Sequence, residues 1–269
     1  MPDFAAMLPR PWSDLPASAL AQVLGVMTDI DDTLTRDGAI EPAALDALHA
    51  LAAAGLPVMA ITGRPLGWSL PFAQAWPLHA LVAENGAVAL IPSGGNLLTE
   101  YAQDEATRHA NAARLQAVAA QVLREVPGAR LSEDSPGRAT DIAIDHSEFT
   151  QLPAGAIAHV VQLMREAGMN ATVSSIHING WFGSHSKWTA ARWMVQRLFG
   201  RELQDEIQRW IYVGDSTNDQ PMFERFPLGV GVANLRRFAD QLTVWPAWIT
   251  RGERGDGFAE VARALLSAR

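Results

Sequence analysis

The sequence predicts an α/β protein: a parallel, doubly wound sheet interrupted by an inserted α+β module. Three observations predict it. Residues 23–27 form a short, branched, apolar run of the kind buried in parallel strands, and the run ends abruptly in Asp29, Asp31 and Asp32. A helical stretch and a second apolar run over 57–61 follow, which makes a β-α-β unit with a right-handed crossover. Between about 86 and 184 the pattern changes to a hairpin, half-apolar strands and long helices, after which the first pattern returns.

In chain order, residues 1–20 read as an irregular surface extension. After the first strand and its acidic turn, Glu41-Pro42 opens a helix to about Ala54, with proline in the first turn and Gly55 as its stop. The second strand ends in Thr62-Gly63-Arg64. A proline-interrupted helix spans 65–77, and a third strand over 81–83 ends at Glu84-Asn85-Gly86. Two strands, 88–91 and 97–101, flank Pro-Ser-Gly-Gly as a hairpin. An alanine-rich helix over 105–126 carries Leu115, Val118 and Val122 on one face and stops at Pro127-Gly128. Residues 139–145 alternate, with Ile142 and Ile144 opposed to Asp141, Ala143 and Asp145, which predicts a half-exposed antiparallel strand. A helix over 153–167 and a strand over 171–178 complete the insert. The core then resumes with a helix over 187–199, whose buried stripe is Trp188, Ala191, Val195 and Leu198. A strand over 210–213 runs into Gly214-Asp215-Ser216-Thr217-Asn218-Asp219, and Pro221 starts a short helix. Strands over 228–232 and 242–245 and a closing helix over 258–266 follow. The expected division is a core of 1–84 and 185–269 with an inserted domain of 85–184.

Composition narrows the function. At 269 residues and 48% apolar content the chain suits one large globular domain or two modest ones. No run approaches the length of a membrane span, and residues 2–16, with four prolines and Asp3, do not form a signal peptide. A chain without cysteine has no disulfide and no thiolate zinc site, so a soluble cytoplasmic protein without a membrane partner is expected. A net charge of −8 argues against nucleic-acid binding. Any anionic substrate must meet a locally positive pocket. One lysine, Lys187, stands among 21 basic residues. It offers a compact point charge where arginine offers a broad planar fork.

Ligands bind at the carboxyl edge of a parallel sheet. Asp29 and Asp31 follow one strand, Thr62-Gly63-Arg64 another and Asp215 to Asp219 a third, while Lys187 starts a helix. Carboxylates gathered there repel one another unless a proton or cation intervenes, which suggests a divalent metal with oxygen ligands. The inventory of paired carboxyls, a hydroxyl, a lysine and a metal cage fits phosphoryl transfer.

These motifs resemble the haloacid dehalogenase superfamily of phosphohydrolases: Asp29-Ile-Asp31-Asp32-Thr33 after a strand, Thr62 ending the next, Lys187 before a helix, and Gly214-Asp215-Ser-Thr-Asn218-Asp219 after another strand. The insert of about 100 residues between the second and third motifs is similar to the α/β cap of subclass IIB, the layout of Cof-type sugar phosphatases, sucrose-phosphate phosphatase and mannosyl-phosphoglycerate phosphatase. Glu84-Asn85-Gly86-Ala87 looks like that subclass's way into the cap, and residues 250–258 like its C-terminal loop. Lys187-Trp188 departs from the Lys-Gly that relatives often have.

The resemblance implies a Rossmannoid core with a cap, and roles for named residues. Asp29 is the nucleophile that forms an aspartyl-phosphate, and Asp31 the group that protonates the leaving oxygen and then takes a proton from water, which needs neighbours that favour its neutral form part of the time. Mg2+ is held by Asp29, Asp215 and the Asp31 carbonyl, with Asp219 either a ligand through water or the group that orients Lys187, and Asn218 helping to hold either. Thr62, the Gly63 N–H and Lys187 bind the transferred phosphoryl group. Arg64 is either a second positive group or a surface ion pair. In the cap, Arg138, Asp141, His177 and Asn179 are candidate substrate readers, with His177 and Asn179 on one face of a strand, or else members of a solvated sheet face. The implied partner is a small phosphorylated metabolite, a sugar phosphate first among them, acted on by a monomer or homodimer. A phosphomutase and a non-catalytic binding protein are the alternatives.

Overall fold

The computed structural model of the protein describes residues 8–269. Of the extension expected over 1–20, residues 1–7 lie outside the described part. The rest forms β1 (Arg10–Pro11) and α1 (Ala17–Leu20), fixed by Trp12, which is buried and edge-on to Trp248. The core continues through β2 (Gly25–Thr28), a small hairpin of β3 (Thr35–Arg36) and β4 (Ala39–Ile40), α2 (Pro42–Ala53), β5 (Val58–Ile61), α3 (Leu66–Ala75) and β6 (Ala80–Ala83). A second hairpin of β7 (Val88–Ser93) and β8 (Asn96–Tyr101) leads to the cap. The cap holds α4 (Glu105–Glu125), β9 (Arg130–Leu131), β10 (Asp141–Asp145), α5 (Ala154–Glu166), β11 (Asn170–Val173) and β12 (His177–Trp181). The chain returns through α6 (Lys187–Phe199), β13 (Trp210–Gly214), α7 (Gln220–Phe223), β14 (Leu228–Gly231), β15 (Trp248–Ile249) and α8 (Arg254–Ser267).

The nine strands of the core sheet lie in the order β1-β15-β14-β13-β2-β5-β6-β7-β8, parallel from β1 to β6. The chain winds outward from β2 through β5 and β6, then outward the other way from β13 through β14 and β15. The order therefore reverses between β2 and β13, and a crevice opens beyond their carboxyl ends. Alternation along the strands feeds two apolar layers. Val26 and Val58 pack with Leu48, Leu51, Phe258 and Leu265 of α2 and α8, whereas Met27, Met59 and Tyr212 pack with Ala191, Met194 and Val195 of α6. A third cluster, Leu115, Val122, Ile144, Val160, Met164 and Ile178, gives the cap its own core. No helix among the described residues is long and apolar enough to cross a membrane.

Five expectations are corrected. The β7–β8 hairpin was expected inside the insert. It extends the core sheet antiparallel to β6, because Val88 and Leu90 enter one core layer and Ala89 and Ile91 the other. The inserted fold thus begins near Asp104, whose side chain caps α4. β10 is buried along its whole length: its acidic face lies against the core and not in water. The strand expected over 171–178 is two strands. Ser174 accepts the His177 amide on its hydroxyl and gives its own amide to the His177 carbonyl, closing a tight turn. Residues 242–245 form no strand, because the Gln220 side-chain oxygen accepts the Thr243 and Val244 amides that a ladder would need. The closing helix starts at Arg254. Gly257 is needed within it because a Cβ there would lie 2.5 Å from the Gly252 carbonyl.

Candidate active site

Asp29 leaves β2 with its amide on the Val213 carbonyl of β13, so it stands at the switch point. Lys187 is the first residue of α6, whose N-terminus is closed by a reciprocal Ser186–Thr189 box. A cation at a helix N-terminus opposes the helix dipole. Two carboxylates offset that: Lys187 Nζ lies 2.8 Å from Asp29 Oδ1 and 2.7 Å from Asp219 Oδ1. Burial alone would lower the lysine's pKa, but Asp219 and Asp29 outweigh it and keep the ammonium charged.

Asp219 is held on both oxygens. Tyr212 Oη donates to Oδ1 at 2.5 Å, and the amides of Asp215 and Ser216 donate to Oδ2 at 2.9 and 3.2 Å. Gly214 makes this possible, since a Cβ there would sit 2.5 Å from Asp219 Oδ2. Asp219 is thus both a member of the Ser216 capping box and the support of Lys187. Asp215, fully buried, has among the described residues only long side-chain contacts, Thr33 Oγ1 at 3.5 Å and Asn234 Nδ2 at 3.4 Å. Oxygens of Asp29, Asp215 and Asp219 lie within 4.8 Å of one another. Burial pushes Asp29 up to about 7 against the pull of Lys187, and burial with the neighbouring Asp29 and Asp219 pushes Asp215 well above the usual carboxylate range. One ammonium does not neutralise three buried carboxylates. The donor set, hard oxygens with Asp215 short of partners, fits Mg2+.

The second strand end sits beside the first. Thr62, fully buried, accepts the Arg64 amide on Oγ1 at 3.0 Å. Arg64 lies under the cap, and each of its three guanidinium nitrogens donates to a carboxylate. Nε donates to Asp31 Oδ1 and Oδ2 at 2.9 and 3.1 Å, Nη1 to Asp134 at 3.1 Å and Nη2 to Glu148 at 2.9 Å. At 5% exposure it is therefore not an exposed surface pair. The Asp31 carboxylate, turned toward Arg64, is not part of the three-acid cluster.

All four cap residues sit at the seam between cap and core: Asp141, His177 and Asn179 are buried, and the Arg138 side chain is 3% exposed. Arg138 donates to both Asp141 oxygens at 2.9 Å and, at 3.0 Å, to the Gly63 carbonyl, which also accepts Asn179 Nδ2 at 3.1 Å. His177 Nε2 lies 2.7 Å from Glu148. None of them lies on a solvated face. Asn218 accepts from Ser216 Oγ at 2.9 Å and lines, with Lys187 and Asn85, a cavity of about 430 Å³.

Sequence reasoning missed several residues here. Asn85 Nδ2 is buried beside Gly63 without an acceptor. Asn234 links the Asp32 carbonyl, Asp215 and the Arg254 amide. Glu84 accepts the Leu66, Ala139 and Thr140 amides and the Thr140 hydroxyl. A polar residue two positions past an apolar run was the available signal for Asn234. The single hydroxyl inside the apolar β13 was the signal for Tyr212.

Residues 26–123 match the model of the haloacid dehalogenase-like hydrolase family. That span holds Asp29, Asp31 and Thr62; Lys187 and Asp215 lie beyond it. No curated protein matches the chain in sequence. Among solved structures, the sucrose-phosphatase of Synechocystis sp. PCC6803, in complex with sucrose and phosphate, is similar at a TM-score of 0.65 and 17% identity, over 90% of this chain and 97% of that one. The C-terminal domain of C. albicans trehalose-6-phosphate phosphatase is similar at 0.69 and 12%, over 97% and 99%. A Thermoplasma acidophilum protein is similar at 0.68 and 15%, over 91% and 98%. At these identities the structures establish the fold alone, a parallel α/β core with an inserted second module.

Proposed function

We propose that this chain, with a haloacid dehalogenase-like hydrolase motif at its start and that fold throughout, is a Mg2+-dependent phosphatase of a small phosphorylated metabolite. The family match and the phosphatase folds support the phosphatase. One observation carries the mechanism: Lys187 Nζ bridges Asp29 and Asp219 at the switch point, with Asp215 beside them.

An Asp29 oxygen attacks phosphorus, and the bond from phosphorus to the leaving oxygen breaks as that oxygen takes a proton from Asp31. The aspartyl-phosphate is then attacked by water, which gives its proton to Asp31. The bond to Asp29 breaks and inorganic phosphate leaves. Lys187, held by Asp219, stabilises the charge on the phosphoryl oxygens, with help from the Thr62 hydroxyl and from Asn85 Nδ2, which has no acceptor among the described residues. Asp29 and Asp215 would hold the magnesium ion with the Asp31 carbonyl, and the ion supplies the charge that the carboxylates and phosphoryl oxygens need. Asp219, with donors on both oxygens, acts through Lys187.

Asp29→Asn tests this. The variant is expected to fold, to bind phosphate esters and to lose about 10⁴-fold or more in kcat, with EDTA abolishing wild-type turnover. Full turnover by Asp29→Asn would remove the nucleophile.

A further inference from the structure

On the phosphatase reading, the leaving oxygen must come within reach of Asp31, so the group it carries lies on Asp31's side of Asp29. A cavity of about 330 Å³ opens there, between the loop after β2 and the cap. It is near the lower end of ordinary ligand pockets, which limits the leaving group to a small molecule. Four carboxylates line it, Asp31, Asp32, Asp37 and Glu148, against two guanidinium groups, Arg64 and Arg254. Both cations are already committed to acids: Arg64 holds Asp31, Asp134 and Glu148, and Arg254 Nε holds Asp32 Oδ1 at 2.6 Å. Asp37 stands exposed at the tip of the β3–β4 hairpin, with φ +50°, and among the described residues no side chain pairs with it. The positive groups for the phosphate, Lys187 and the donor Asn85, line the other cavity.

We propose that this acidic cavity receives the leaving group and selects phosphomonoesters whose leaving group carries no negative charge, with an ammonium-bearing group preferred over a neutral one. A carboxylate or second phosphate there would face Asp37 and Glu148, and either guanidinium that it met already has its charge paired with acids. A phosphomutase must admit a bisphosphorylated sugar, so the same charge favours water as the acceptor. The proposal rests on the phosphatase reading for its choice of cavity.

Two matched sets of esters test it with Mg2+ present: glucosamine 6-phosphate, glucose 6-phosphate and 6-phosphogluconate, and glycerol 3-phosphate with 3-phosphoglycerate. In each set kcat/KM for the carboxylated ester is expected at least tenfold below its neutral counterpart, and glucosamine 6-phosphate above glucose 6-phosphate. Asp37→Lys is expected to shrink the neutral-to-carboxylated ratio at least threefold. A carboxylated ester turned over as well as its counterpart overturns the proposal, and so does an unchanged ratio in Asp37→Lys. Binding of the same esters to Asp29→Asn by calorimetry separates the two readings. The binding order without wild-type turnover overturns the phosphatase and supports the charge selection. Turnover without the order overturns the charge selection alone, and the absence of both overturns both.

Discussion

Lys187 is the residue for which arginine is least able to substitute. Its Nζ occupies a point between two carboxylate oxygens, 2.8 and 2.7 Å away, in a volume that is 5% exposed. A guanidinium needs a plane where the site offers a point. Lys187→Arg is therefore expected to lower kcat by about 10²-fold and stability by about 1–3 kcal/mol through overpacking. Steady-state kinetics and urea denaturation check this, and wild-type turnover would show that only the charge matters. Two residues earlier, His185 is buried, stacked on Trp181, and neither ring nitrogen has a partner among the described residues. Burial pushes its pKa down to about 4, against about 6.5 in an unfolded chain. Between those values the unfolded state holds more protons, so stability rises with pH through that window and levels off above it. The rise from this group is at most about 3 kcal/mol. Urea midpoints at pH 4.5, 5.5 and 7 are expected to vary less in His185→Phe than in the wild type, and parallel curves would discard the assignment.

At the scale of elements, the turn after β13 joins three functions in six residues. Asp219 reaches back over Gly214 so closely that a methyl group would meet its carboxylate at 2.5 Å. Gly214→Ala should push Asp219 off the Asp215 and Ser216 amides and loosen Lys187, lowering kcat by about tenfold or more while Asp29 stays in place. A crystal structure of the variant with Asp219 unmoved would disprove the coupling. The ends of β2, β5, β13 and α6 were readable in the sequence because each is an apolar period that stops at polar residues, and a parallel sheet gathers such ends at one edge. The cap seam was not readable, for a physical reason. β10 alternates Asp141, Ala143 and Asp145 against Ile142 and Ile144, and a polar face laid on a polar partner has the same periodicity as one facing water. The seam's partners are remote in sequence: Glu84 and Thr140 are 56 residues apart, Gly63 and Asn179 116. The apolar run over 242–245 misled because its donors go to one side chain, Gln220, which no local pattern announces.

For the whole molecule, the seam decides how the cap sits on the core. Its ties are polar: Arg64 to Asp134 and Glu148, Arg138 and Asn179 to the Gly63 carbonyl, Thr217 Oγ1 to the Val173 carbonyl, and Glu84 to Ala139 and Thr140. A polar seam can exchange its partners for water, as an apolar one cannot, so it suits a joint that opens for substrate and closes for chemistry. Glu84 is its strongest single point, fully buried and accepting from three backbone amides and a hydroxyl. Removing its carboxylate strands those donors in the closed form, at about 1–3 kcal/mol each, whereas an open cap lets water take the three on the cap side. Glu84→Ala should therefore favour the open arrangement. Amide exchange at Ala139 and Thr140 is expected to speed up at least tenfold while Ile142, Ile144 and Ile178 keep their protection, because the cap has its own apolar core. If Ile142, Ile144 and Ile178 lose protection together with Thr140, Glu84 holds the cap folded instead of holding it closed.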